Sequence, residues 1–245
     1  MPRRIIVFAP HPDDETLGCG GTIAKRLREG YDVLIVFMTD GRNALSKLFN
    51  ICSNPTPLKL REIRKEEAKK AAKVLGVKEE KLIFLDIEDG SLEKKGIAQE
   101  KLLKILKENS PEEVYFPQAK EANRDHIVTN TIVKDSISEL KIHPIEYQYV
   151  IAWSIPFCIL SHVKRHLPFW LISSFSKMKL VSIDVSDFLS QKKSAIGQYK
   201  SQIEIVSTNQ KKPVVSSCEV DYFLRKEEKF FVIHLRFIQF SINHI

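Results

Sequence analysis

Residues 4–30 read RIIVFAPHPDDETLGCGGTIAKRLREG. The first six form a short apolar run of the kind a buried strand carries, and residues 22–29 have helical spacing that stops at Gly30. Between them lies a polar loop. The same order recurs along the chain. Residues 32–38 (DVLIVFM) predict a second strand, 60–75 an amphipathic helix stopped at Gly76, and 81–85 (KLIFL) a third strand. Residues 99–107 then predict a helix and 113–116 (EVYF) a fourth strand. Continuous apolar strands alternating with helices imply an α/β fold: a parallel sheet of the doubly wound type, with helices on both faces. Ligands bind such sheets beyond the carboxyl ends of the strands. The polar clusters His11 to Glu15, Thr39 to Arg42, Asp86 to Gly90 and Asn123 to His126 each follow a predicted strand, so they are expected in one pocket.

After about residue 145 the alternation changes. Strand-like runs at 147–153 and 181–185, a helix near 191–199 and terminal strand-like runs ending at Phe240 make a distinct carboxyl-terminal portion. No linker, repeat or low-complexity segment divides the chain. With 245 residues, 43% hydrophobic and 28% charged, it is expected to be one globular domain. No apolar run is long enough to span a membrane and no cleavable signal pattern opens the sequence, so a soluble, cytoplasmic protein is expected. Cys19, Cys52, Cys158 and Cys218 form no C-x-x-C pair and are expected as reduced thiols. The net charge of +7 is dispersed through mixed-charge helices such as Lys65-Glu66-Glu67-Ala68-Lys69-Lys70, which argues against a nucleic-acid partner.

A glycine-rich turn between a first strand and a helix invites a dinucleotide reading, and Asp40 after the second strand supports it. The detail does not. Ile23 stands where the third glycine belongs, three acids precede the glycines where they would repel a pyrophosphate, and no G-K-[ST] makes a P-loop. A metal site fits better. His11 and Asp14, separated by two residues on a loop, can present a nitrogen and an oxygen to one ion, and catalytic zinc typically keeps three protein ligands and an open position. His126, after the fourth strand, supplies the third. The competing reading is that the acids cap the first helix, which for Glu15 or Thr16 alone is the better account.

Pro10 to Glu15 with the following glycines resembles the LmbE-like and PIG-L family of zinc-dependent N-acetylglucosaminyl de-N-acetylases. Further motifs are similar in the family's order: Arg64-Lys65-Glu66-Glu67-Ala68 to its R-x-x-E-A helix, Asp89-Gly90-Ser91-Leu92 to its D-G-x-L turn, Asp125-His126 to the end of its H-x-D-H motif, and residues 193–202 to its late K-x-A-(x)-Y-x-S-Q helix. The resemblance implies a Rossmann-like, mostly parallel sheet over residues 1–145 and a carboxyl-terminal β-containing portion of the same domain over 146–245. It implies an amidohydrolase in which His11, Asp14 and His126 hold Zn2+ or another divalent metal. Asp13 would take a proton from water acidified by the metal and return it to the departing amine. Arg64 and Asp89 match positions that bind sugar hydroxyls. The expected partner is a small amino sugar or glycoconjugate.

One departure bears on the chemistry. Asn123 stands where the family has the first His of H-x-D-H, paired with the Asp at 125; its amide can donate a hydrogen bond to an oxyanion but transfers no proton at neutral pH. A noncatalytic metal- or sugar-binding protein is therefore the alternative, and a nucleotide-binding protein the third reading. His162 and His166 lack the glutamate of H-E-x-x-H and read as basic surface, while Cys19 reads as a small side chain in a tight turn. The apolar, aromatic and basic stretch 157–180 has the composition of a lid, a membrane-surface patch or a homo-oligomer interface, or of ordinary packing.

Overall fold

The computed structural model describes residues 3–93, 96–151 and 179–232. One sheet is built from β1 (Arg4–Ala9), β2 (Asp32–Thr39), β3 (Leu82–Ile87), β4 (Glu113–Pro117), β5 (Ile145–Tyr149), β6 (Lys179–Asp184) and β7 (Glu227–Val232), in the order β3-β2-β1-β4-β5-β7-β6. Strands β1 to β5 pair in parallel, and β7 runs antiparallel to both β5 and β6. The expected mostly parallel α/β sheet is present, with the carboxyl-terminal strands extending it at one edge.

Side chains alternate across the pleat. Ile5, Val7 and Ala9, with Val33, Ile35 and Phe37, meet α1 (Asp14–Arg28), α3 (Pro57–Leu75) and α6 (Leu189–Ile196) through Ile23, Ala71 and Ala195. Ile6, Phe8, Leu34 and Val36 meet α4 (Ile97–Asn109) and α5 (Arg124–Leu140) through Leu102 and Ile132. Burial on both faces is why these strands read as unbroken apolar runs. In α3 the ends are fixed by Thr56, whose hydroxyl accepts from the Lys59 amide, by Pro57, and by Gly76 at φ 93.

The strand order reverses between β1 and β4, and at such a reversal the loops beyond the carboxyl ends part to leave a crevice. The loop after β1 carries His11 to Asp14, and α5 begins on the far side of that crevice. This placement brings together segments more than a hundred residues apart.

Several helices differ from the sequence expectation. Helix α1 starts at Asp14, eight residues earlier than predicted, and kinks where Cys19 is non-helical (φ −147, ψ 23). The kink frees backbone groups, and a buried pair from the carboxyl-terminal portion satisfies them: Lys192 Nζ donates to Leu17 O at 2.8 Å, while the Gly21 and Thr22 amides donate to the Glu228 carboxylate at 2.9 and 2.8 Å. Lys192 and Glu228 themselves meet at 2.6 Å. A methyl group on Gly21 would stand 2.7 Å from Val185, so the helix lies against the turn that follows β6 only without one. The helix predicted near 191–199 is α6, which ends at Ile196, and three short helices, α2 (Ala44–Phe49), α7 (Lys200–Ile203) and α8 (Ser217–Phe223), were unforeseen. His162, His166, Cys158, most of the 157–180 stretch and the run beyond residue 232 lie outside the described residues. Within them, no helix is long and apolar enough to cross a membrane.

Candidate metal centre and active site

His11 stands two residues past the end of β1, and its amide donates to Asp14 Oδ2 at 2.9 Å, which folds the loop back on itself. His11 Nδ1 lies 3.2 Å from Asp14 Oδ2 and 3.3 Å from His126 Nε2, and His126 Nε2 lies 3.2 Å from Asp14 Oδ2. All three residues are buried. A tetrahedral ion with ligands at about 2.0 to 2.1 Å holds its donors about 3.3 to 3.4 Å apart. The observed triangle, nearly equilateral and made of two imidazole nitrogens and one carboxylate oxygen, fits a zinc-type cation in size and in chemistry.

Each imidazole has a carboxylate behind it. His11 Nε2 faces Asp125 Oδ2 at 3.3 Å and Asp89 Oδ1 at 3.5 Å, and His126 Nδ1 faces Glu121 Oε2 at 3.8 Å. Such partners fix the ring orientation and raise the basicity of the coordinating nitrogen. Asp125 is itself held by the Gly90 amide at 2.7 Å. Burial alone would lower the His11 pKa, but hydrogen bonds to Asp125, Asp14 and Asp89 raise it well above its ordinary value. Against the same burial, His126 and His11 hold the Asp14 carboxyl well below the usual range, and His11 and Lys47 do so for Asp89.

Asp13 adopts φ 137 and ψ −27, a backbone region L residues rarely enter. Its amide donates to Glu15 Oε2 at 3.1 Å and its Oδ1 meets Arg64 Nη2 at 3.1 Å. Arg64 reaches it from α3, donating also to Pro12 O at 2.6 Å and Gly41 O at 3.0 Å. Gly41, at φ 63, leaves it room: a methyl group there would lie 2.5 Å from Nη1. Burial, resisted by Arg64 and reinforced by Asp14, pushes the Asp13 carboxyl up to about 8. The group beside the donor triangle is thereby tuned toward proton transfer near neutral pH.

These side chains open on a cavity of about 320 Å³, which Asn123, Asp89, Arg64 and Lys47 also line. Its lining also includes the apolar Leu17, Leu48, Val215 and Phe223. The anion seat that a nucleotide would need at the glycine-rich segment is taken: past the Cys19 kink of α1 the Gly21 and Thr22 amides point at Glu228.

Residues 6–137, just over half of the chain, match the family described as PIG-L: GlcNAc-PI de-N-acetylase. The chain belongs to the PIG-L family. Among its relatives, diacetylchitobiose deacetylase of Thermococcus kodakarensis is 30% identical over 115 residues, 47% of this chain and 40% of that one. A probable N-acetyl-alpha-D-glucosaminyl L-malate deacetylase 2 of Bacillus cereus is 30% identical over 122 residues, 48% of this chain and 54% of that one. The chain thus matches about half the length of these curated relatives, or less. Among solved structures, N,N'-diacetylchitobiose deacetylase from Pyrococcus horikoshii superposes with a TM-score of 0.67 at 22% identity, covering 94% of this chain and 83% of that one. The 4-carboxy-2-hydroxymuconate hydratase GalB from Pseudomonas putida superposes with a TM-score of 0.62 at 21% identity, covering 82% and 80%. A deacetylase and a hydratase on one fold leave the reaction to be read from the side chains.

In this PIG-L-family chain all eight residues singled out from sequence gather at the crevice. His11, Asp14 and His126 form the triangle, Asp13 stands beside it with Arg64, and Asp89 is tied to Lys47 at 2.7 Å and to the Asn43 amide at 3.2 Å. Asn123 is the N-cap of α5, its Oδ1 accepting from the Asp125 amide at 2.8 Å, which leaves its NH2 as the donor for a ligand. The Asp125 carboxylate turns toward His11. Sequence reading missed Glu121 and Tyr199. Glu15 it took for a helix-end residue; the carboxylate does accept the Asp13 amide, and also the Tyr199 hydroxyl. The late helix motif held the only signal for Tyr199.

Proposed function

We propose that this chain is a zinc-dependent hydrolase that removes the N-acetyl group from an N-acetylglucosamine-type sugar or glycoconjugate. The observation that carries the reading is the buried triangle of His11 Nδ1, Asp14 Oδ2 and His126 Nε2, with edges of 3.2 to 3.3 Å and Asp13 beside it. A cation bound there supplies Lewis acidity, polarising the amide carbonyl and bringing the pKa of water to about 7. Asp13, held by Arg64, accepts the attacking water's proton and delivers it to the departing amine. The Asn123 NH2 donates a hydrogen bond to the developing oxyanion. Arg64 and Asp89, on the same cavity, orient the sugar, and Asp125 takes part by orienting His11. A reducing, cytoplasmic location is in keeping with the unpaired Cys19, Cys52 and Cys218.

The test is acetate release from a panel of N-acetylated amino sugars by zinc-loaded protein, by chelated protein and by Asp13→Asn, with bound metal measured in each. Release that needs both zinc and Asp13 is expected. A second reading, metal or sugar binding without turnover, is favoured by Asn123 in place of a proton-donating His. Zinc and sugar binding without acetate from any substrate would select it.

A further inference from the structure

We propose that Tyr199 is a positioning residue for Asp13 and acts on it through Glu15. The inference rests on the reading of Asp13 as general base. Asp13 occupies a backbone region that its own side chain disfavours, so something must hold it there. Its carbonyl accepts from the Thr16 and Leu17 amides, which any helix start would provide. Its amide is different, because it points at Glu15 Oε2, a fully buried carboxylate.

A buried carboxylate keeps a fixed orientation only if its other oxygen is also bound. Glu15 Oε1 accepts from the Thr16 hydroxyl next to it and from the hydroxyl of Tyr199. Thr16 moves with the same loop, whereas Tyr199 is anchored elsewhere: it is buried between α6 and α7 and packed into the core that includes Ile23, Ala68 and Ala195. Tyr199 is therefore the fixed point, outside the segment matched to the family, from which Glu15 and then Asp13 take their positions.

The donor triangle is held separately. Asp14 is bound by the His11 amide and His11 by Asp125, while His126 sits on α5 with Glu121 3.8 Å behind its ring. Loss of the Tyr199 hydroxyl thus loosens the base and leaves the ligands in place. A misplaced catalytic group costs turnover out of proportion to the displacement.

Tyr199→Phe removes the hydroxyl and keeps the ring. The expected result is a kcat lower by about ten- to a hundredfold, with KM and zinc affinity unchanged and faster hydrogen exchange at the Asp13 amide, read by NMR. Tyr115→Phe is the control: it loses a similar buried bond, from Tyr115 to Glu113 at 2.6 Å, and should lower Tm while kcat holds. An unchanged kcat in Tyr199→Phe, zinc lost together with kcat, or an equal loss in Tyr115→Phe would each overturn the proposal. Should Tyr199→Phe not fold, the wild-type Asp13 amide decides: slow exchange supports the anchor and unprotected exchange removes it. If wild-type protein releases no acetate at all, the hydrolase reading fails, while the exchange comparison still tests the Tyr199 link by itself.

Discussion

Asp125 Oδ2 lies 3.3 Å from Nε2 of His11, at the ring nitrogen opposite to the one that faces Asp14 and His126. It is adjacent in sequence to His126 yet serves the other histidine. Consecutive residues of a helix point about 100° apart, so one turn of α5 sends a ligand into the triangle and a carboxylate behind it. Asp125→Ala should weaken zinc binding about 10- to 100-fold, measured by competition with a chromophoric chelator. Unchanged affinity would mean that His11 needs no orienting partner.

Metal uptake should depend on pH through His11. Its folded-state pKa without metal is raised, so its proton stabilises the metal-free fold fully below the unfolded value of about 6.5, and that stabilisation is lost as pH rises through the folded pKa. Zinc must displace this proton. Affinity should climb as pH rises toward the folded pKa, with close to one proton released per ion at pH 7, read by calorimetry in buffers of different ionisation enthalpy. No release would place His11 outside the ligand set.

Gly41→Ala introduces a methyl group 2.5 Å from Arg64 Nη1 at a backbone φ of 63. The conformation alone costs about 1 to 2 kcal/mol, and Arg64 must shift away from Asp13. Both Tm and kcat should fall, in thermal unfolding and acetate assays respectively. A variant with wild-type kcat would show that Asp13 does not rely on Arg64.

Asn123 combines a cap and an amide donor, and two substitutions separate them. Asn123→Asp keeps the oxygen that accepts from the Asp125 amide and removes the NH2, so stability should hold while kcat falls. Asn123→Ala removes both, with a further loss of about 1 kcal/mol in unfolding free energy. Equal kcat in wild type and Asn123→Asp would take the oxyanion role away from this residue.

The strands were legible because Ile5 to Ala9 and Val33 to Met38 are buried on both faces and carry no alternation to misread. The meeting of His11, Asp14 and His126 was legible too, since a reversal of strand order forces the loops after β1 and β4 to share a crevice. The start of α1 was not. Glycine is a poor helix former, so Gly18 to Gly21 reads as a turn, and only Glu228 and Lys192, some two hundred residues on, provide the partners that keep it helical. Glu121 and the role of Tyr199 were hidden for a related reason: each acts on a residue whose place depends on tertiary packing, and the late helix motif that contains Tyr199 does not say what its hydroxyl meets.

Glu228 also behaves as a ligand that cannot leave. Because β7 tethers it, its carboxylate confronts the Gly21 and Thr22 amides at an effective concentration that free anions do not reach in solution. Phosphate and nucleotides should therefore fail to compete at that kink at millimolar levels, leaving the crevice beyond β1 and β4 as the place where an added solute is felt.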